Sequence, residues 1–130
     1  MQVKDAMSTR IMFVKKDATV AQAMRLMAEN NMRRLMIDKD DTGGAYAAIT
    51  VRDMISKVIA PGKDPASIKV KDIMNASLIS VASADALAAA AKIMDEKNVA
   101  GLPVIDGGKL VGVITMWDIL IALGVHCKAS

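Results

Sequence analysis

The chain has 130 residues, 53% of them hydrophobic and 24% charged, with a net charge of +3; it has room for one ordinary domain or two very small ones, and its composition excludes a disordered chain. Aromatic residues make up 2% (Phe13, Tyr46 and Trp117), and no dense basic run carries aromatics between its charges, so a stacking platform for nucleic acid is not expected. A lone cysteine, Cys127, excludes an intramolecular disulfide and points to a reducing, cytoplasmic setting.

The chain opens on Met1-Gln2-Val3-Lys4-Asp5, without the basic-then-apolar pattern of a signal peptide. A short apolar strand is predicted at Met12-Phe13-Val14. An amphipathic helix follows, with Val20, Ala23, Met24 and Met27 at spacings of three and four and Asp17 as its expected cap. Two strands come next, Leu35-Met36-Ile37 and Ala45 to Ile49, joined through Gly43-Gly44 as a hairpin. Thr50 is placed to cap a second helix, and Ala60-Pro61-Gly62-Lys63-Asp64-Pro65 breaks the chain.

The pattern then starts again. Val3-Lys4-Asp5-Ala6-Met7 returns as Val70-Lys71-Asp72-Ile73-Met74, a shift of 67 that also carries Ala23 onto Ala90, Met27 onto Met94, Asn31 onto Asn98 and Leu35 onto Leu102. Beyond the turn residues Asp38 to Gly44 the shift becomes 65, and Ile49-Thr50-x-x-Asp53 maps onto Ile114-Thr115-x-x-Asp118. The second copy therefore has a strand at Leu78 to Val81 and an alanine-rich helix from Ala86 to Asn98, with Ser83 or Asp85 as the expected cap. A hairpin of Leu102 to Ile105 and Leu110 to Ile114 follows, turning at Gly107-Gly108, and a last helix opens after Thr115. The longest apolar run, Leu110 to Trp117, is too short to span a bilayer, so no membrane partner is expected. The predicted domains are 1–60 and 70–125, with a linker at 61–69 and a tail at 126–130. The fold class is α/β (α+β): two β-α-β-β-α repeats packed through their sheets with pseudo-two-fold symmetry, leaving matching clefts between them. The core is aliphatic, with eleven methionines filling irregular gaps.

The Thr-x-x-Asp pairs admit two readings. A helix start presents unpaired N–H groups and partial positive charge, and an ionised carboxylate beside it accepts hydrogen bonds only, which suits a ribose diol. Equally, Asp three residues after Thr makes a capping box and nothing more. Three further signals are set aside. His126-Cys127 lacks the other ligands of a zinc site. Gly107-Gly108-Lys109 lacks the spacing of a phosphate loop. A single histidine supports no catalytic triad, so no catalytic residue, metal or obligatory cofactor is expected.

Gly112-Val113-Ile114-Thr115-Met116-Trp117-Asp118 and Ala48-Ile49-Thr50-Val51-Arg52-Asp53 resemble the closing motif of the cystathionine-β-synthase (CBS) domain family. Val99-Ala100-Gly101-Leu102-Pro103-Val104-Ile105-Asp106 and Met32-Arg33-Arg34-Leu35-Met36-Ile37-Asp38 are similar to its middle strand. The resemblance runs from about Val3 to Leu123. It implies a tandem CBS pair, a Bateman module, that is regulatory rather than catalytic and binds AMP, ADP or ATP between its halves. Thr50, Asp53, Thr115 and Asp118 would hold ribose. Arg33, Arg34 and Arg52 would hold phosphate, since a guanidinium donates two parallel bonds. Ile11, Met12, Leu78, Ile79, Gly101 and Pro103 would line the adenine slot. The second copy departs from the first, with Ala100-Gly101 for Arg33-Arg34 and Trp117 for Arg52, so the two sites are not equivalent. S-adenosylmethionine or another adenosyl compound is an alternative ligand, and a ligand-free dimerisation module is another reading. A protein partner regulated in trans is implied. So is a homodimer, because Met24, Met27, Ile55, Ile59, Ile93, Met94, Leu120 and Leu123 exceed what two small sheets can cover.

Overall fold

Thr19 starts the first long helix. Its hydroxyl accepts from the Gln22 N–H at 3.1 Å and Gln22 Oε1 accepts from the Thr19 N–H at 2.9 Å, a reciprocal box that opens α1 (Val20–Asn30). The computed structural model in which this is seen describes residues 1–126, so Cys127 lies outside the described residues. Val20, Ala23 and Met27 share the buried face of α1. The helix ends at Asn31, whose φ of 53° is a left-handed conformation that asparagine tolerates. Asn98 takes the same φ of 53° after the second long helix, which explains why the two asparagines match between the repeats. Asp17, expected as the cap, sits too early for it and pairs instead with Lys71 at 3.0 Å.

After α1 come β1 (Arg34–Ile37), the one-turn α2 (Lys39–Thr42), β2 (Ala47–Thr50) and α3 (Val51–Met54), which runs on into a π-helical segment, Ile55–Ile59. The predicted hairpin is there, with an addition. The extra residues of the first repeat form α2, capped by Asp38 and ended by Gly43 at φ 88°. The second repeat contributes α4 (Val70–Ile73), α5 (Leu87–Lys97), β3 (Gly101–Asp106), β4 (Lys109–Thr115) and α6 (Met116–His126). Its hairpin turns directly at Gly107 (φ 56°) and Gly108 (φ 78°). The expected caps of α5 are occupied elsewhere. Ser83 bonds to Asp106, Asp85 accepts from the Ala82 N–H, and Ala86 stands at the cap with no side-chain bond.

Both hairpins are antiparallel, β1 with β2 and β3 with β4. The predicted strands Met12 to Val14 and Leu78 to Val81 shrink to single parallel bridges, Phe13 with Met36 and Val81 with Val104. On the opposite edge of each hairpin lies the opening segment of the other repeat. Ser8 pairs with Val113 through bonds of 2.9 Å in both directions, and Asn75 pairs with Ala48 at 2.8 and 3.0 Å. The compact units therefore cut across the repeats: one is Met12–Leu78, the other Met1–Ile11 with 79–130.

Each unit has its own helix-facing core. In Met12–Leu78 it includes Val20, Met27, Leu35, Ile37, Ile49, Met54, Val58 and Val70; in the other, Val3, Val81, Leu87, Met94, Leu102, Val104 and Ile114. Each such side chain contributes roughly 1.5–3 kcal/mol of transfer free energy when fully buried. Alternate strand residues face the other way, and Met36, Ala48, Pro103 and Val113 are buried there as well. Of the apolar residues expected in excess, Met27 and Met94 are buried and Met24 and Ile93 are half-buried against the cores. Ile55, Ile59, Leu120 and Leu123 are exposed.

Candidate functional site

Each hairpin ends where a helix begins, and this junction gathers the predicted polar residues. In the Met12–Leu78 unit Arg34 is the register partner of Thr50, and the Arg33 carbonyl accepts from the Val51 N–H at 3.2 Å. Arg33, Arg34, Thr50, Arg52 and Asp53 thus share one end of the β1–β2 hairpin. In the other unit Gly101 faces Thr115, and the Ala100 carbonyl accepts from the Met116 N–H at 2.9 Å. The backbone is the same in both; the cations are present in one only.

The capping box is real at both positions. Asp53 Oδ2 accepts from the Thr50 N–H at 3.0 Å and from Thr50 Oγ1 at 3.0 Å, while Thr50 Oγ1 accepts from the Asp53 N–H at 3.3 Å. Asp118 Oδ2 accepts from the Thr115 N–H at 2.9 Å, and Thr115 Oγ1 accepts from the Asp118 N–H at 3.1 Å. The bonds that each carboxylate accepts from its threonine fall on a single oxygen, Oδ2, so the capping and ligand-holding readings are compatible. Each aspartate is half-buried.

The second oxygens differ. Asp53 Oδ1 lies 3.4 Å from Lys57 Nζ, which also donates to the Ile73 carbonyl at 2.9 Å. Lys57 sits in the π-helical segment one turn beyond Asp53. Residue-by-residue reading of the motifs missed it, although its spacing of four from Asp53 is that of a helical ion pair. The corresponding residue of α6 is Ala122, which has no charge to offer Asp118.

Among the other predicted residues, Arg33 and Arg52 are exposed. Arg34 is half-buried, with Nη1 shielded from solvent. Met12 and Leu78 belong to the Met12–Leu78 unit, where the Met12 carbonyl accepts from the Met36 N–H at 2.9 Å and its side chain packs on the core. Ile11, Ile79, Gly101 and Pro103 belong to the other unit; Ile79 is exposed, and Pro103 is buried with its carbonyl accepting from the Val81 N–H at 3.1 Å. Two shallow depressions, of about 290 and 180 Å³, lie elsewhere: one along α1 at Gln22, Arg25 and Glu29, the other at Phe13, Lys15 and Asp41. Neither is lined by a predicted site residue. Among the described residues no helix is long and apolar enough to cross a membrane, and no three His, Cys, Asp or Glu side chains gather as a metal site.

Comparison with known proteins agrees with the repeat. The family model described as the CBS domain matches twice, over residues 3–60 and 70–125. The protein MK0525 of Methanopyrus kandleri is 35% identical over 105 residues, which cover 78% of this chain and 52% of that protein. A relative from Methanocaldococcus jannaschii is 30% identical over 131 residues, but the match covers only 31% of it, so the chain spans about half of the first relative and about a third of the second. Among solved structures, the hexameric CBS-CP12 protein from bloom-forming cyanobacteria superposes with a TM-score of 0.90 at 28% identity, covering 100% of this chain and 77% of that one. The CBS domain pair of protein MJ0100, in complex with 5-methylthioadenosine and S-adenosyl-L-methionine, gives a TM-score of 0.81 at 26% identity, over 95% of this chain and 100% of that one.

Proposed function

The chain belongs to the CBS-domain family, and on that footing we propose that it is a non-catalytic sensor of an adenosyl ligand, acting in the cytoplasm on a partner protein in trans. The observation that supports this reading is the division of labour within each carboxylate. Oδ2 of Asp53 and of Asp118 closes the helix cap, which leaves Oδ1 to accept from a ribose hydroxyl, at Asp53 beside the Lys57 ammonium. The cap fixes that oxygen beforehand, which lowers the ordering cost of binding. The ligand would favour one arrangement of the chain over another by its difference in affinity for the two, and the partner would respond to that arrangement.

Arg33, Arg34 and Arg52 favour an adenine nucleotide, AMP, ADP or ATP, at the Asp53 end, because phosphate needs cations. A second reading, an unphosphorylated adenosyl ligand, is favoured by the 5-methylthioadenosine and S-adenosyl-L-methionine held by the MJ0100 pair. It suits the Asp118 end, where Ala100, Gly101 and Trp117 replace the arginines. Mass spectrometry of small molecules released from the purified protein tests the proposal, and an adenosyl compound is the expected finding. Protein that carries none, and that stays folded yet takes up no adenosine derivative on addition, would overturn it.

A further inference from the structure

Lys57 separates the two helix starts more sharply than the arginines do, because it bears directly on the carboxylate. It is held at two points, by Asp53 Oδ1 at 3.4 Å and by the Ile73 carbonyl at 2.9 Å, so its ammonium is a fixed charge rather than a wandering one. Its side chain remains 47% exposed, against 20% for that of Asp53, so the pair is open to a ligand. An unpaired carboxylate would repel a phosphate brought to the same helix start. With Lys57 beside it, Asp53 keeps its acceptor lone pairs while part of its repulsion is offset. The four cations at the Asp53 end, Arg33, Arg34, Arg52 and Lys57, are matched in the second repeat by Ala100, Gly101, Trp117 and Ala122. The matching positions of the second repeat thus place no cation beside Asp118. A bare carboxylate disfavours phosphate, accepts from a neutral diol, and attracts a cationic group such as a sulfonium.

From this, and resting on the adenosyl reading above, we infer that Lys57 is a specificity-determining residue that sets the charge class of the ligand. The Asp53 end selects a phosphorylated adenosyl compound, and the Asp118 end, lacking a lysine, selects a neutral or cationic one. Lys57 does this by offsetting part of the Asp53 charge and adding its own field, so its effect is on the preference between ligands and not on binding in general.

The test compares AMP with adenosine, which differ only in the phosphate, by calorimetry on the full chain. Asp118→Ala leaves the Asp53 end to report and Asp53→Ala leaves the Asp118 end. In the Asp118→Ala chain, Lys57→Met is expected to lower the AMP-to-adenosine affinity ratio about two- to fivefold, the range of one exposed charge pair, while Lys57→Arg preserves it. In the Asp53→Ala chain, Ala122→Lys is expected to raise the ratio by a similar factor. A purely structural lysine would weaken both ligands alike and leave the ratio where it was. An unchanged ratio in Lys57→Met and in Ala122→Lys, or an equal fall in Lys57→Arg and Lys57→Met, would overturn the inference while leaving the adenosyl reading standing. Should Lys57→Met lose its cooperative unfolding transition, the Ala122→Lys arm alone decides. No binding of either ligand to any of these folded chains would overturn the adenosyl reading and this inference with it.

Discussion

Asp106 spends both carboxylate oxygens on Ser83: Oδ1 accepts from the Ser83 N–H at 2.9 Å and Oδ2 from Ser83 Oγ at 2.5 Å. The first repeat solves the same problem differently, with Asp41 Oδ2 of α2 accepting from the Lys16 N–H at 2.7 Å. The Ser83 hydroxyl, and after it the Ser83 N–H, favour the charged form and hold the Asp106 carboxyl below its ordinary value. A carboxyl whose pKa is depressed by folding stabilises the protein above its unfolded pKa and ceases to do so as pH falls through the folded one. Asp106→Asn should therefore be less stable than the parent near neutrality, and the gap should close as pH drops below about 4. Urea midpoints measured at a series of pH values check this; a gap that stays constant down to acid unfolding would contradict it. At this scale the sequence was informative where a residue and its partner are near neighbours. Thr50 with Asp53 and Thr115 with Asp118 are three apart and were legible as caps. Ser83 and Asp106 are distant in sequence, and Ser83, like Asp85, has the sequence signature of a helix cap because its true partner gives no local signal.

At the scale of elements, the opening segment of each repeat lies along the hairpin of the other, and Gly112 is where this exchange is tightest. A Cβ at Gly112 would stand 2.9 Å from the Ser8 carbonyl oxygen and 2.9 Å from Met7 Sδ. The methionine can swing aside, but the Ser8 carbonyl belongs to the backbone bridged to Val113. Gly112→Ala should cost about 1–3 kcal/mol as overpacking. The loss should appear first as faster amide exchange at Val3 and Ser8, whose N–H groups bond to Asp85 and Val113 at 2.8 and 2.9 Å. Unchanged stability and exchange would show that the segment is not held there. The hairpins and long helices were readable from spacing because their bonds are local. The exchange was not, since a repeat read as a linear unit carries no mark of which copy its first residues will join. The same limit turned the two predicted outer strands into single bridges: Phe13 and Val81 make one ladder contact each and then leave the sheet.

For the molecule as a whole, the unresolved demand is apolar surface on the closing helices. Val51, Ile55 and Ile59 recur every four residues along one stripe, with Ile55 51% exposed. On α6 the exposed residues include Met116, Trp117, Leu120, Ile121 and Leu123, with Trp117 at 61% and Leu120 at 59%. Exposure of this kind on a helix marks an interface, and a closed homo-oligomer is the usual way to cover it. We expect sedimentation at micromolar concentration to give a species larger than the 13.8 kDa chain, and Trp117→Glu with Leu120→Glu to return it to a monomer without loss of helicity. A parent that sediments as a clean monomer would assign those helices to a different partner. Calorimetric titration of the folded chain with AMP and adenosine, beside the Asp53→Ala, Asp118→Ala double variant, shows whether the Thr-x-x-Asp helix starts hold an adenosyl ligand. Saturable binding by the parent, abolished in a double variant that keeps its cooperative unfolding transition, is the predicted result. A flat titration of the folded parent, or binding that survives the double substitution undiminished, would contradict it.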